Sequence, residues 1–272
     1  MAAHAGAQRV VSTTCSNTEI VCALGCAERL VGVDDHSDFP EDVVGRLPRV
    51  GPDLGVDPQR VAALQPDLVL ASLTVPGHEQ VVAGLEQAGL RVVAPEPVSL
   101  DDVYGDVRHI AELLGVPERG EALAVAMERA IEGRARPNAN GPRILVEWWP
   151  KPVIVPGRDS WVTQLLERAG GVNPLAREPV KSRPITDEEA VSLAPDAVVM
   201  AWCGVPFHKY RRDVVQRRVG WATTPALRFD RIEAIPEAWL GRPGPRLVEG
   251  FEALCRLVDE LGSEVDHRPI EG

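Results

Sequence analysis

Hydrophobic positions along the chain follow two alternating rhythms. Short β-branched runs bounded by turn residues predict strands at 9–14, 30–33, 67–71, 90–94, 143–148, 197–201 and 232–235. Apolar residues at helical spacing predict helices at 16–24, 58–64, 78–88, 100–114, 118–134, 161–169, 187–193 and 245–261. The punctuation agrees: Ser16 followed by Glu19 has capping-box spacing, Asp57 stands where an N-cap belongs, and Gly25, Gly89 and Gly170 follow helix ends. Strands that alternate with helices predict βα units on parallel sheets, an α/β fold.

Residues 136–142, rich in Pro, Asn and Gly, give the strongest boundary signal. An internal repeat gives the second clue to organisation. Leu64, Pro66, Asp67 and Val69 recur as Leu193, Pro195, Asp196 and Val198 at one constant offset. Each copy reads as a short helix, a Pro-Asp turn and a buried strand, which predicts two similar α/β lobes. The expected division is an N-terminal lobe over 1–115, an interlobe helix over 116–136 and a C-terminal lobe over 137–272.

Composition narrows the function classes. An apolar fraction of 44% and a charged fraction of 25% exclude disordered and fibrous chains. The formal net charge of -11 argues against a nucleic-acid partner, which needs cations for its phosphates. No apolar run is long enough to span a bilayer. Residues 1–8 carry neither a basic nor an apolar segment of a secretory leader, so the expected compartment is the cytoplasm, or the periplasm or another extracytoplasmic space if a leader has been removed. Five Cys make a poor disulfide framework, and Cys22 and Cys26 read as small apolar fillers.

In open parallel sheets, ligands bind beyond the carboxyl ends of the strands. The residues expected there are Thr14, Cys15 and Ser16; His36 and Phe39; Ser72, Leu73 and His78; Trp148 and Trp149; Trp202, Cys203, Phe207 and His208; and Trp239 and Arg242. All six Trp fall in the second half, and most stand at strand ends. Indoles there offer flat, stiff contact area and suit a large planar or partly apolar ligand, although any one of them can simply pack under a loop, Trp221 most of all. Arg242, in Arg242-Pro243-Gly244-Pro245-Arg246, is placed for an anionic or amide-rich ligand or for solvent at a helix start. Residues 34–38 are acidic but lack the glycine and terminal glutamate of an EF-hand loop, so they read as a solvated loop with His36 facing the ligand.

Four motifs together carry a resemblance: His36-Ser37-Asp38-Phe39-Pro40, the repeated Leu-x-Pro-Asp-x-Val, Ser160-Trp161 with Ala169-Gly170-Gly171-Val172-Asn173, and Trp239-Leu240-Gly241-Arg242-Pro243-Gly244-Pro245-Arg246. In this order the chain resembles the class III substrate-binding proteins of ABC importers, which bind cobalamin, ferric siderophores or haem, and within them the vitamin B12-binding branch. The resemblance implies a periplasmic-binding-protein-like fold, two Rossmann-like lobes joined by one long rigid helix, with a preformed cleft between them and no catalysis. It implies a tetrapyrrole-like ligand, cobalamin foremost, with haem or a ferric siderophore as the alternative, no intrinsic cofactor, and an ABC permease as partner.

Carried over by position, His36 stands where relatives have an aromatic residue, Trp148 matches another, and Trp239 with Arg242 matches a Trp-x-x-Arg corner. Ser72 replaces an expected aromatic, and Ala238 an expected acid. Glu188 matches a transporter-docking glutamate, whereas the corresponding place in the first lobe holds Gln59, which weakens the permease assignment; leaderless members of the branch are taken to be cytosolic corrinoid binders. The expected ligand set is His36, Phe39, Ser72, Trp148, Trp149, Arg183, Trp202, Cys203, Trp239 and Arg242. Lys181, Arg183 and Arg242 would serve an anionic siderophore. Direct metal binding by His36, His78, His208 and Cys203, and a Cys203–His208 nucleophile pair, are the remaining and weaker readings.

Overall fold

The computed structural model describes residues 6–266. In chain order the elements are β1 (Val10–Ser12), α1 (Cys15–Ala23), β2 (Leu30–Val33), α2 (Glu41–Val44), α3 (Pro58–Ala63), β3 (Leu68–Leu70), α4 (His78–Gln87), β4 (Val92–Val93), α5 (Leu100–Leu113) and α6 (Pro117–Glu132). The second half adds β5 (Ile144–Glu147), β6 (Trp149–Pro150), β7 (Val153–Pro156), α7 (Trp161–Ala169), β8 (Ser182–Ile185), α8 (Asp187–Leu193), β9 (Ala197–Met200), α9 (Arg212–Gln216), α10 (Pro225–Arg228), β10 (Ile232–Ala234), α11 (Glu237–Leu240) and α12 (Leu247–Asp266). The described residues divide into two compact units, one of residues 6–97 and 101–127, the other of residues 98–100 and 128–266.

Unit 1 holds a parallel sheet in the order β2-β1-β3-β4. Its strands are apolar on both faces because helices cover both, as parallel sheets require. Val11, Val50, Val61, Val69 and Leu85 pack into one buried cluster. Full burial of each such side chain contributes about 1.5–3 kcal/mol. Unit 2 holds a parallel sheet in the order β10-β9-β5 and a second, antiparallel sheet in the order β6-β7-β8. The uniform βα pattern gave no hint of that antiparallel sheet, since Pro150, Pro156 and Pro184 stand in its strands and hide their period.

The repeat is structural. Asp57 caps α3 by accepting from the Gln59 and Arg60 backbone N–H groups at 2.9 and 3.3 Å. Thr186 caps α8 by accepting from the Glu189 N–H at 3.2 Å. Gln65 and Ala194 then both take left-handed backbone, with φ of 50° and 45°. The Asp67 carboxylate accepts from the Gln8 and Arg9 N–H groups at 2.8 and 3.1 Å, and that of Asp196 from the Arg143 N–H at 2.9 Å.

The capping box expected at Ser16 is not formed. Helix α1 starts one residue earlier, with Thr14 at the N-cap and no side-chain cap bond; Ser16 lies inside the first turn, buried, with its hydroxyl toward that of Thr14. Cys26 lies beyond the end of α1, buried in the core, while Cys22 is on the helix.

Candidate functional site

In unit 1 the carboxyl ends of β1, β2 and β3 rest on a base of hydroxyls. Ser12, Thr13, Thr14, Ser16, Asn17, Thr18 and Ser37 are all buried there. Thr18 Oγ1 lies 2.9 Å from both Ser12 Oγ and Ser37 Oγ, and Asn17 donates to the Ala71 carbonyl at 2.6 Å. Buried hydroxyls need such partners, because each unmet one costs about 1–3 kcal/mol.

The loop after β2 closes on Asp34. Its carboxylate accepts from the Ser37 hydroxyl and, at 2.9 Å, from the His36 backbone N–H. Burial pushes the Asp34 carboxyl up, and the two donors pull it back. Arg49 clamps the same loop by donating to the Asp34 and Ser37 carbonyls at 2.7 Å each. The acidic loop is solvated at Asp35, His36 and Asp38, as expected, but Asp34 is turned inward as its staple; His36 and Phe39 are both exposed.

After β3, Ser72 is buried and its hydroxyl lies 2.9 Å from that of Thr74. His78 Nδ1 accepts from the Val75 N–H at 3.3 Å, which leaves the ring proton on Nε2, 2.8 Å from Asp53 Oδ1. His78 thus joins the Asp53 turn to the start of α4. Phe39, Leu54 and Val75 are the exposed large apolar side chains of this end of unit 1.

Unit 2 sets aromatic rings at the corresponding strand ends. Trp149 is exposed and its indole N–H donates to the Lys151 carbonyl at 3.0 Å; Trp148 is half-buried. Trp202 is buried, with its ring 5.2 Å from that of Tyr210, which lies 5.3 Å from the exposed Phe207. The Cys203 N–H donates to the Trp148 carbonyl at 2.9 Å, joining the loops that come after β5 and β9. Cys203 is an exposed residue in a crowded loop; the protein packed around its sulfur desolvates the thiolate and, with the Glu237 carboxylate nearby, pushes the thiol up to about 12. A thiol held in that state is a poor nucleophile at neutral pH.

Under these rings lies a buried ion pair that the sequence did not disclose. Glu147, the last residue of β5, is fully buried. It accepts a forked pair of bonds from Arg218, one of them at 3.1 Å, and a third from the Trp202 indole N–H at 3.2 Å. Burial raises the Glu147 carboxyl, while Arg218 and the indole pull against that rise. The Arg218 guanidinium also sits 4.5 Å from the centre of the Trp221 ring, and the Trp221 N–H donates to Asp187 at 2.8 Å. Trp221 is thus core, with its one polar atom satisfied at the start of α8.

Trp239 and Arg242 come after β10, on and beyond α11. Trp239 is half-buried, and Arg242 Nε lies 3.3 Å from Glu237. A Cβ on Gly250 would come within 2.1 Å of the Trp239 carbonyl oxygen, so the approach of α12 to α11 requires glycine there. The Trp161 indole N–H donates to the Leu240 carbonyl at 2.7 Å, and Asn173 donates to Pro156 and Thr163, so two of the motif residues brace the site from behind. Arg183 lies on β8 between Glu178 and Glu189, hydrogen-bonded to both, which hold it charged and occupied. A recess of about 170 Å³ lined by Trp239, Glu233, Ile235, Arg256, Leu257 and Glu260 is below the size of a site for a drug-sized ligand.

Among the described residues no group of three or more His, Cys, Asp or Glu side chains is placed to hold a metal ion, and no helix is long and apolar enough to cross a membrane. Glu188 is exposed in the first turn of α8; its backbone N–H and the Thr186 hydroxyl hold its carboxyl below the usual range. Gln59 takes the same place in α3.

Residues 10–238 match the family described as periplasmic binding protein. An uncharacterized ABC transporter substrate-binding lipoprotein of Bacillus subtilis, YvrC, is 29% identical over 92% of this chain and 80% of its own length. A vitamin B12-binding protein of Vibrio cholerae is 25% identical over 93% of this chain and 89% of its own. The apo structure of RhuT, a periplasmic heme-binding protein from Roseiflexus, superposes with a TM-score of 0.80 at 29% identity, covering 94% of this chain and 99% of that one.

Proposed function

Because this chain belongs to the periplasmic binding protein family, a family of non-enzymatic solute binders, we propose that it binds a corrinoid of the cobalamin type for uptake or intracellular handling. The observation that carries this reading is the set of rings at the strand ends of unit 2. Trp148, Trp149 and Trp239 give a macrocycle flat apolar contact, and Arg242 meets its amide groups. Trp202, expected from the sequence as a contact, is instead buried in the core with its N–H held by Glu147, and supports the rings from beneath. Within unit 1, the strand ends hold His36, Phe39 and Ser72, an imidazole, a ring and a hydroxyl. Cys203 contributes as a small neutral neighbour, and Arg183 as a cation whose charge is already shared with Glu178 and Glu189.

Similarity to vitamin B12-binding proteins along nearly the whole chain supports a corrinoid. Similarity to a heme-binding protein at comparable identity supports haem as the second reading, with ferric siderophores behind it. The pairing of Arg183 and Arg242 with carboxylates favours a corrinoid, whose edge is mostly neutral amides, over haem with its two propionates and over an anionic chelate. In an importer, Glu188 would meet a permease cation, and Gln59 would offer only a neutral amide.

Parallel titrations with cyanocobalamin, haemin and ferrichrome, read by tryptophan quenching and by ligand absorbance, test the ligand. Cyanocobalamin is expected to titrate at micromolar concentration or below. Trp149→Ala, which removes an exposed ring, should weaken it about tenfold, or about 1.4 kcal/mol. Saturation by haemin alone would transfer the assignment to haem, and no response to any corrinoid would end the cobalamin reading.

A further inference from the structure

Residues 209–231 of unit 2 carry seven Lys and Arg against two Asp, in a chain whose net charge is -11. Arg218 and Arg231 point inward and are largely buried. Lys209, Arg211, Arg212, Arg217 and Arg228 remain exposed. Contacts tie the arginines to this surface. Asp213 lies 3.3 Å from Arg211 and 3.2 Å from Arg217, across α9. Asp230 lies 3.3 Å from Arg212 and takes a bond from Gln216 at 3.0 Å, which fastens α9 to the turn after α10. Both acids are thus already matched to arginines; Glu233, just beyond this stretch, also lies near Arg212, so the surplus of positive charge is carried by Arg211, Arg217 and Arg228. In that turn Phe229 is 47% exposed, with the Arg228 and Arg231 guanidinium carbons 5.7 and 4.9 Å from its ring centre.

We propose that this patch, formed by Arg211, Arg212, Arg217, Arg228 and Phe229, docks unit 2 on an anionic phospholipid surface. The charge calls for an anion, and guanidinium forks match phosphate oxygens in pairs. The exposed ring beside the exposed Arg228 guanidinium selects a bilayer over an acidic protein: an aromatic side chain rests at the headgroup level while the exposed cations stay at the phosphates. A bilayer also presents many phosphates in one plane, so several arginines are met at once. The net negative charge of the whole chain makes the attraction short-ranged, confined to about one Debye length, ~10 Å at 0.1 M salt. The docking surface is independent of the ligand assignment.

Flotation of the full chain with lipid vesicles tests the proposal. Vesicles of phosphatidylcholine with about a third phosphatidylglycerol should carry the protein upward at low salt, and vesicles of phosphatidylcholine alone should not. Raising the salt to about 0.5 M should abolish flotation. The triple variant R211E/R217E/R228E should lower the bound fraction at least about tenfold, and Phe229→Ser about two- to threefold. Cyanocobalamin titration of the same variants should match the parent, so loss of lipid binding and loss of ligand binding are separate results. The proposal is overturned if the parent stays unbound with phosphatidylglycerol at low salt, if the triple variant floats like the parent, or if the patch retains polyglutamate while vesicles are ignored.

Discussion

In unit 1, Asp57 caps α3, Gln65 makes a left-handed turn and Asp67 fastens β3 to the start of β1. In unit 2, 129 residues later, Thr186, Ala194 and Asp196 do the same for α8, β9 and β5. The backbone solution is duplicated while the chemistry mounted on it diverges. Where β1 runs out, Thr13 is buried with its hydroxyl 3.4 Å from the Leu70 carbonyl; at the matching end of β5 stands Glu147, paired with Arg218. Unit 1 ends its strands in hydroxyls and unit 2 in indoles. A duplicated scaffold can therefore present two unlike surfaces, because caps and turns fix the strands and leave the side chains at their carboxyl ends free to vary.

The contrast predicts unequal sensitivity. Arg218→Met strands a buried carboxylate and should cost about 3–5 kcal/mol in urea unfolding, whereas Thr13→Val in unit 1 should cost about 1 kcal/mol. Equal losses would mean that the ion pair adds nothing beyond ordinary polar burial. Next in size comes Asp106 on α5, which burial and the nearby Asp102 push up from 3.8 to about 7. Its folded value lies above its unfolded one, so its contribution is full below about pH 4 and is lost as pH rises through about 7. Asp106→Asn should stabilise the protein by about 1–2 kcal/mol at pH 8, after discounting for solvent screening, and leave it unchanged at pH 4; melts at the two pH values check this.

Smaller effects test the likeness itself. Asp57→Ala and Thr186→Ala each remove one cap and should each cost about 1 kcal/mol, so a large difference between them would break the equivalence of α3 and α8. Gln65→Gly and Ala194→Gly relieve left-handed backbone and should each gain no more than about 0.5–1 kcal/mol in thermal unfolding. A gain at only one of the two would show that the turns differ in strain.

Most of the scaffold was legible because it is local. The Leu-x-Pro-Asp-x-Val repeat, the Asp57 cap and the apolar strand cores all depend on neighbours a few residues apart. The antiparallel sheet was hidden because prolines break its pattern, and the start of α1 because Ser16 offered a cap that burial redirected. At the strand ends the sequence named the rings but not their support. Glu147 stood out only as a charge at the end of an apolar strand, and its partner lies 71 residues away, a separation no spacing rule spans. Arg183 reads in sequence as a cation for a ligand, yet Glu178 and Glu189, five and six residues to either side, already surround it.

The buried Trp221 has an optical consequence. Its ring is sealed in the core, its N–H is committed to Asp187 and a guanidinium lies over its face, so its emission should stay blue and steady while solutes come and go. Trp149, open to water, should glow further to the red. The molecule thus carries a colour reference beside its reporters, and the ratio of the two bands would register occupancy without any attached dye.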